Sequence, residues 1–255
     1  MFTDSHCHLY SEYYDDIENI ILNSEKNNVN RFINNGCNKR TNKEIITLIS
    51  QYDNMYGAIG IHPENVNDYC EDDIEFIKNN LNTKKVIAIG EIGLDYYYTK
   101  ENKNEQIELF EIQLKIAEEN NIPVIIHSRD ATLDTLNILK LYNVKGIIHS
   151  FSGSLETAKE YIKMGFLIGV NGVITFKNSK IKDVIKEIPL SSIVLETDSP
   201  YLTPEPYRGK QNNPSHIIEI AKFIAELKNI SLEDLSNITN QNLCNIFNIK
   251  DVENN

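Results

Sequence analysis

The sequence lacks any closely spaced pair of cysteines. Its four cysteines are Cys7, Cys37, Cys70 and Cys244, and no two of them form a C-x-x-C motif. A zinc ribbon and a dithiol redox site both depend on such motifs, so neither is indicated. We expect reduced thiols, most of them packed in the interior.

The sequence is also poor in positive charge. It carries 25 lysine and arginine residues against 37 aspartate and glutamate residues, which gives a formal net charge of −12. This balance disfavours a broad basic surface for sequence-independent binding of duplex DNA. An acidic ligand would depend on metal ions or on a few well-placed arginine and lysine side chains.

Long apolar segments are absent as well. The sequence contains no run of about 18 apolar residues that could span a bilayer. Its first residues lack the basic and apolar regions of a secretory signal. We therefore expect a cytoplasmic protein with no membrane association. The hydrophobic fraction of 41% is ample for a core.

Short apolar segments alternate along the chain with longer amphipathic ones. The segments with the composition of buried strands are 2–8, 31–35, 56–62, 86–93, 124–127, 146–151, 166–171 and 193–198. Helical candidates lie between them, such as 104–120, where apolar residues recur at helical spacing. The alternation predicts an α/β fold with a single domain over 1–255, a (β/α)8 TIM barrel. An open eight-stranded sheet also fits the count.

Extra helices are predicted at the C-terminal end. Four prolines between positions 200 and 214 indicate a rigid loop after the eighth strand. Two helices follow, at about 215–228 and 231–245. Ser231 is a good N-cap for the second one, because Glu233 and Asp234 place negative charge in its first turn.

Two histidines lie two residues apart at the end of the first predicted strand. His6 and His8 share a face of that strand, because successive side chains point to opposite faces. Two imidazoles converging from one side can bind a transition metal. A pair of hydrogen-bonded core histidines is the alternative.

Four more candidate ligands lie near the ends of later strands: Glu91, His127, His149 and Asp198. In a barrel these ends open on the C-terminal face, where active sites are found. Together with the first pair they exceed what one tetrahedral ion needs, which points to two divalent ions bridged by Glu91. Such mixed ligands suit zinc, manganese or magnesium. A two-metal site predicts a hydrolase.

Seven segments follow one another along the chain: TDSHCHL at 3–9, GIHP at 60–63, IGEIGLDYY at 89–97, IHSRDA at 126–131, HSFSG at 149–153, LETDSPYL at 195–202 and RGK-x-N-x-P at 208–214. In this order they resemble the signatures of the TatD family of metal-dependent deoxyribonucleases. The resemblance covers essentially the whole chain. Gln211 and Asn213 stand where the family more often has Arg and Glu, so we expect this loop to bind substrate more weakly or differently.

The resemblance implies metal binding by six residues, which are His6, His8, Glu91, His127, His149 and Asp198. His6, His8 and Asp198 would hold one ion. His127 and His149 would hold the other, with Glu91 as the bridge. Asp198 would also act as general base toward the attacking water, so Asp198 and Glu91 are the expected catalytic residues.

Candidates for substrate binding are His62, Arg129, Arg208 and Lys210. The guanidinium of Arg129 is suited to a phosphate oxygen, although a surface salt bridge with Asp130 is the alternative. His62 could bind substrate or be a structural histidine at a turn. Asp95 and residues 96–98, three tyrosines, could orient a ligand or offer a stacking face, and simple packing is their alternative. We expect His216 to be structural.

The function expected from site and resemblance together is deoxyribonuclease activity. A water activated by two metal ions would cleave phosphodiester bonds at DNA ends, as a 3′–5′ exonuclease on single strands. The alternative is a metal-dependent esterase or amidase, such as a D-aminoacyl-tRNA deacylase. An inactive scaffold is a third possibility. DNA is the expected partner, and no obligate protein partner is implied.

Overall fold

The computed structural model describes residues 1–97 and 101–249. Eight strands alternate with helices along these residues. The strands are β1 (Phe2–Cys7), β2 (Val29–Asn35), β3 (Met55–Ile59), β4 (Val86–Asp95), β5 (Val124–Arg129), β6 (Gly146–Ile148), β7 (Leu167–Val170) and β8 (Ile193–Leu195). The helices are α1 (Ile17–Lys26), α2 (Lys39–Gln51), α3 (Glu71–Asn80), α4 (Lys103–Asn120), α5 (Thr132–Leu139), α6 (Leu155–Lys163), α7 (Ile181–Glu187), α8 (Ile217–Lys228) and α9 (Leu232–Phe247).

The eight strands form one sheet whose order follows the sequence from β1 to β8. The chain segments that end β1 and follow β8 are also hydrogen-bonded to each other. The backbone N–H of Asp198 donates to the carbonyl of His6 at 2.9 Å, and that of His8 donates to the carbonyl of Ser199 at 2.8 Å. The fold is a (β/α)8 TIM barrel with two additional C-terminal helices, which confirms the predicted fold class.

The chain divides into two compact units. The first comprises Met1–Ile33, Ser150–Lys163 and the residues from Leu167 onward, and the second comprises Asn34–His149 with Met164–Phe166. Each unit has a buried apolar interior, with Phe32, Leu195, Ile220 and Leu243 in the first and Ile45, Ile59, Phe110 and Ile126 in the second. The single domain over 1–255 stays a prediction.

Three of the strands end three residues earlier than the sequence predicts, and β1 and β7 end one residue earlier. β3, β6 and β8 stop before His62, His149 and Asp198, which lie in the loops that follow. Asp198 has a φ of 57°, in the left-handed region that residues other than glycine seldom occupy. Loops after strands carry the functional residues in this architecture, so the shorter strands still deliver these side chains to positions suited to a site.

The two C-terminal helices occur as predicted. The Oγ of Ser231 accepts the backbone N–H of Asp234 at 3.0 Å at the start of α9. A short 3₁₀ turn, Pro214–His216, leads into α8.

None of the described helices combines the length and the apolar character that crossing a membrane requires. The cytoplasmic location stays a prediction.

Candidate metal centre

His6, His8 and Asp198 bring three donor atoms together in the first unit, and we call them the His–His–Asp cluster. The Nε2 atoms of His6 and His8 are 3.2 Å apart. The Oδ1 of Asp198 lies 3.8 Å from the first and 3.5 Å from the second. Ligand atoms around a tetrahedral ion with bonds of about 2.0–2.2 Å lie roughly 3.3–3.6 Å apart. The cluster therefore has the dimensions of a metal site. Metal binding by these residues stays a prediction.

The buried carboxylate of Asp4 holds the backbone on both sides of this cluster. Its Oδ1 accepts the backbone N–H of His6 at 3.2 Å and that of Thr197 at 2.9 Å. The hydroxyl of Thr197 donates to its Oδ2 at 2.5 Å. Burial raises the pKa of Asp4 to about 8, and the hydrogen bonds from Thr197 and His6 only partly oppose that shift. Asp4 thus fixes the distance between the segment with His6 and the loop that carries Asp198.

Three histidines surround Glu91 in the second unit, and we call these four residues the Glu91 cluster. The Oε1 of Glu91 is 2.8 Å from Nδ1 of His127. It is 3.7 Å from the Nε2 of His62 and equally far from the Nε2 of His149. One ion could be held by His62, Glu91 and His127, whose donor atoms all lie within 4.8 Å of one another. The position of His62 makes it a candidate metal ligand as well as the predicted substrate contact.

The second ring nitrogen of His127 faces Asp95. Its Nε2 lies 2.9 Å from the Oδ2 of Asp95, whose Oδ1 accepts the backbone N–H of Tyr97 at 2.9 Å. Burial lowers the pKa of His127, but the hydrogen bonds to Asp95 and Glu91 outweigh it and raise that pKa to about 10. A carboxylate on the far nitrogen commonly orients a metal-binding histidine. Asp95 therefore keeps Nδ1 directed at Glu91, where a metal ion would replace the proton.

Two buried acids, Asp4 and Glu196, were not among the site residues predicted from the sequence. Glu196 is fully buried, and its Oε1 accepts the backbone N–H of Ser150 at 2.6 Å. Both acids lie within the family segments quoted above, 3–9 and 195–202. Each acid lies inside a segment that is otherwise apolar or buried. This pattern could have marked both acids from the sequence, because buried carboxylates need compensating partners.

The predicted substrate-binding cations lie against aromatic rings. The guanidinium carbon of Arg129 is 3.7 Å from the centroid of the Tyr97 ring, and both side chains are exposed. That of Arg208 is 4.3 Å from the Phe176 ring, and Nζ of Lys210 is 5.7 Å from the Tyr207 ring. Stacking uses the face of a guanidinium and leaves its edge N–H groups able to donate. Substrate contact by these cations stays a prediction.

His216 and Tyr96 both contact neighbouring side chains. The ring of His216 stacks on that of Tyr207 at 4.6 Å, and its Nδ1 is 2.8 Å from the Oδ1 of Asn212. These contacts agree with the structural role expected for His216. The hydroxyl of Tyr96 donates to Asp134 at 3.0 Å, whereas Tyr98 lies outside the described residues.

The chain is similar to known proteins over nearly its full length. A model of the TatD related DNase family matches residues 3–248. The uncharacterized metal-dependent hydrolase YabD of Bacillus subtilis is 44% identical over 254 residues, which cover 98% of this chain and all of YabD. The uncharacterized metal-dependent hydrolase YcfH of Escherichia coli is 36% identical over 254 residues, which cover 96% of this chain and 95% of YcfH. The crystal structure of YjjV, a TatD homolog from Escherichia coli, superposes with a TM-score of 0.92 at 30% identity, covering 98% of each chain.

Proposed function

The chain belongs to the TatD related DNase family and is a metal-dependent hydrolase, and on this basis we propose that it removes nucleotides from the ends of single-stranded DNA. The main support for this proposal is the spacing of donor atoms in the His–His–Asp cluster and around Glu91. We propose hydrolysis in the 3′–5′ direction, as expected from the sequence.

The donor sets fit divalent ions: His6, His8 and Asp198 would hold one ion, and Glu91, His127 and His149 would hold the other. Bound ions would acidify a water molecule and neutralise charge on the phosphate. Imidazole and carboxylate donors accept zinc, manganese or magnesium, so all three belong in the test. Asp95 keeps the His127 ring in the orientation that this ligand set needs.

We assign proton transfer to Asp198. Its side chain is 14% exposed, so water can reach the carboxylate, and the contacts of His6 and His8 fix its position. A carboxylate within hydrogen-bond reach of the attacking water can accept a proton as phosphorus is attacked. The exposed cations Arg129, Arg208 and Lys210 would hold phosphate oxygens.

The experiment incubates the purified protein with single-stranded DNA, duplex DNA and a D-aminoacyl-tRNA, each with added magnesium, manganese or zinc. We expect metal-dependent release of nucleotides from single strands. Label at the 5′ end should persist in the shortened products, which reports cleavage from the 3′ end. Release of the amino acid without DNA cleavage would instead identify a deacylase and reject the proposal.

A further inference from the structure

Three tyrosines form a continuous row of rings from His8 to the surface, and we call it the tyrosine platform. Tyr10 is buried, Tyr13 is partly buried and Tyr201 is half exposed. The ring centroids of Tyr10 and Tyr13 are 5.8 Å apart, and those of Tyr13 and Tyr201 are 5.9 Å apart. The hydroxyl of Tyr201 donates to that of Tyr13 at 2.9 Å. The rings of Tyr13 and Tyr201 are therefore held in a fixed mutual orientation.

The platform is continuous with the His–His–Asp cluster. The His8 ring is 5.6 Å from the Tyr10 ring and 6.5 Å from the Tyr201 ring, measured between centroids. Tyr201 also follows Asp198 by three residues, and its backbone N–H donates to the Asp198 carbonyl at 2.8 Å. One nucleotide occupies about 3.4 Å along a stacked strand. A phosphate at the cluster therefore has an adjacent base within reach of the platform.

The loop after β8 holds the platform in place. The side-chain amide of Gln211 donates to the Tyr13 carbonyl at 2.7 Å, and that of Asn212 donates to the Tyr201 carbonyl at 2.6 Å. The hydroxyl of Tyr14 donates to the Asn212 carbonyl at 2.7 Å. Gln211 is one of the positions where this chain departs from the usual family pattern. Its contact is with the platform backbone, so this position serves the tyrosines here.

We infer that the tyrosine platform binds the base of the nucleotide next to the phosphate being cleaved, by stacking on the exposed ring of Tyr201 and the partly exposed ring of Tyr13. The inference rests on the proposed deoxyribonuclease function and names what the site recognises beyond phosphate. Every base has a π face, so stacking accepts any sequence, and it is open only to unpaired bases. Stacking also needs no charge, which suits a chain with a net charge of −12.

The test compares two short single-stranded substrates that differ only in whether the nucleotide at the cleaved end carries a base. The active protein with metal should prefer the intact substrate in kcat/KM by roughly five- to a hundredfold, the range expected for base stacking on an aromatic ring. Tyr201→Leu should remove most of this preference, because it keeps an apolar side chain and loses the ring. Tyr201→Phe should retain it.

Tyr142→Leu is the matched control, because Tyr142 is partly exposed and precedes β6 rather than following a strand end. It should keep the full preference for the intact substrate. Metal content and melting temperature of each variant show whether the clusters are intact. A full preference in a folded Tyr201→Leu protein would overturn the inference, as would an unmodified protein that cleaves both substrates equally well. A protein that cleaves no DNA with any metal overturns the proposed function itself.

A second measurement needs no platform variant. Asp198→Asn should bind a strand whose terminal base is 2-aminopurine without cleaving it, and stacking on tyrosine should quench the fluorescence of that base. Placing the analogue in the middle of a longer strand provides the comparison. Binding without selective quenching at the terminal position would overturn the inference even if Tyr201→Leu failed to fold.

Discussion

Individual side chains decide whether each cluster can hold an ion. His6 and His8 supply two of the three donor atoms in the first cluster, and their Nε2 atoms are 3.2 Å apart. Removal of both imidazoles leaves Asp198 alone, and one carboxylate does not make a tight transition-metal site. Neither histidine is exposed, so their replacement also tests how far the fold depends on them.

We predict that the double variant His6→Ala, His8→Ala loses about one ion per chain while the Glu91 cluster keeps its own. Elemental analysis after dialysis measures the ratio of metal to protein. His216→Ala is the control, because that ring stacks on Tyr207 and lies outside both clusters. Equal metal content in the double variant and the parent would disprove the ligand assignment.

We predict that Asp198→Asn slows turnover by about 10²–10⁴-fold, the usual contribution of a general base. The amide keeps the shape of the side chain but cannot accept the proton from water. DNA binding should remain close to that of the parent, and circular dichroism should confirm the fold. If the variant retained more than about a tenth of the parent rate, the general-base role would be untenable.

We predict that Arg129→Ala raises the Michaelis constant for single-stranded DNA and weakens its dependence on salt, with metal content unchanged. Stacking on Tyr97 holds the guanidinium in place, so a lost phosphate contact should cost about 1.5–3 kcal/mol, or roughly ten- to a hundredfold in kcat/KM. Arg40→Ala is the control, because Arg40 pairs with Glu44 on the surface of α2 at 3.6 Å. An unstable Arg129→Ala protein with normal kinetics per folded molecule would point to a structural role.

At the scale of strands and helices, most of the architecture could be predicted from periodicity. Each apolar segment became a strand, because only buried strands accommodate such short apolar runs between amphipathic helices. The positions at which the strands end were less predictable. The segment 193–198 is strand only as far as Leu195, because its last residues turn into the loop where Asp198 has its positive φ.

The supporting contacts of the site could not be predicted in the same way. Asp4 and Thr197 are 193 positions apart, and periodicity carries no information about which side chains meet across such a separation. The candidate ligands could be predicted because imidazoles and carboxylates near strand ends have a distinct chemistry. Asp95 was recognised only as a residue able to orient a ligand, since its partner His127 lies on the neighbouring strand.

We predict that Ser231→Ala destabilises the protein by about 1 kcal/mol, because α9 loses the side-chain acceptor for the N–H of Asp234. A chain of this size should then melt roughly 2–4 °C lower. Ser231→Asp, which restores an acceptor at the N-cap, should recover most of the loss. If the alanine and aspartate variants had the same melting temperature, this cap would contribute little to the stability of the protein.

At the scale of the whole molecule, metal ions should stabilise the fold, because the ligands of each cluster come from distant parts of the sequence. An ion bound only by the folded chain adds about 2.7 kcal/mol when its concentration is a hundred times Kd. We predict that a strong chelator lowers the melting temperature by roughly 5–10 °C. The His6→Ala, His8→Ala variant should show a smaller drop. An unchanged melting curve with chelator would contradict the prediction.

The contact between β1 and the loop after β8 also sets the earliest moment at which a nascent chain can complete the His–His–Asp cluster. Asp4, two residues before His6, is made 193 positions before its hydrogen-bond partner Thr197. At about 5–20 residues per second, the ribosome needs roughly 10–40 s to cover that interval. Until Asp198 emerges, the two imidazoles have no third ligand from this cluster. Tight metal loading of this cluster therefore has to wait until the loop after β8 has been made.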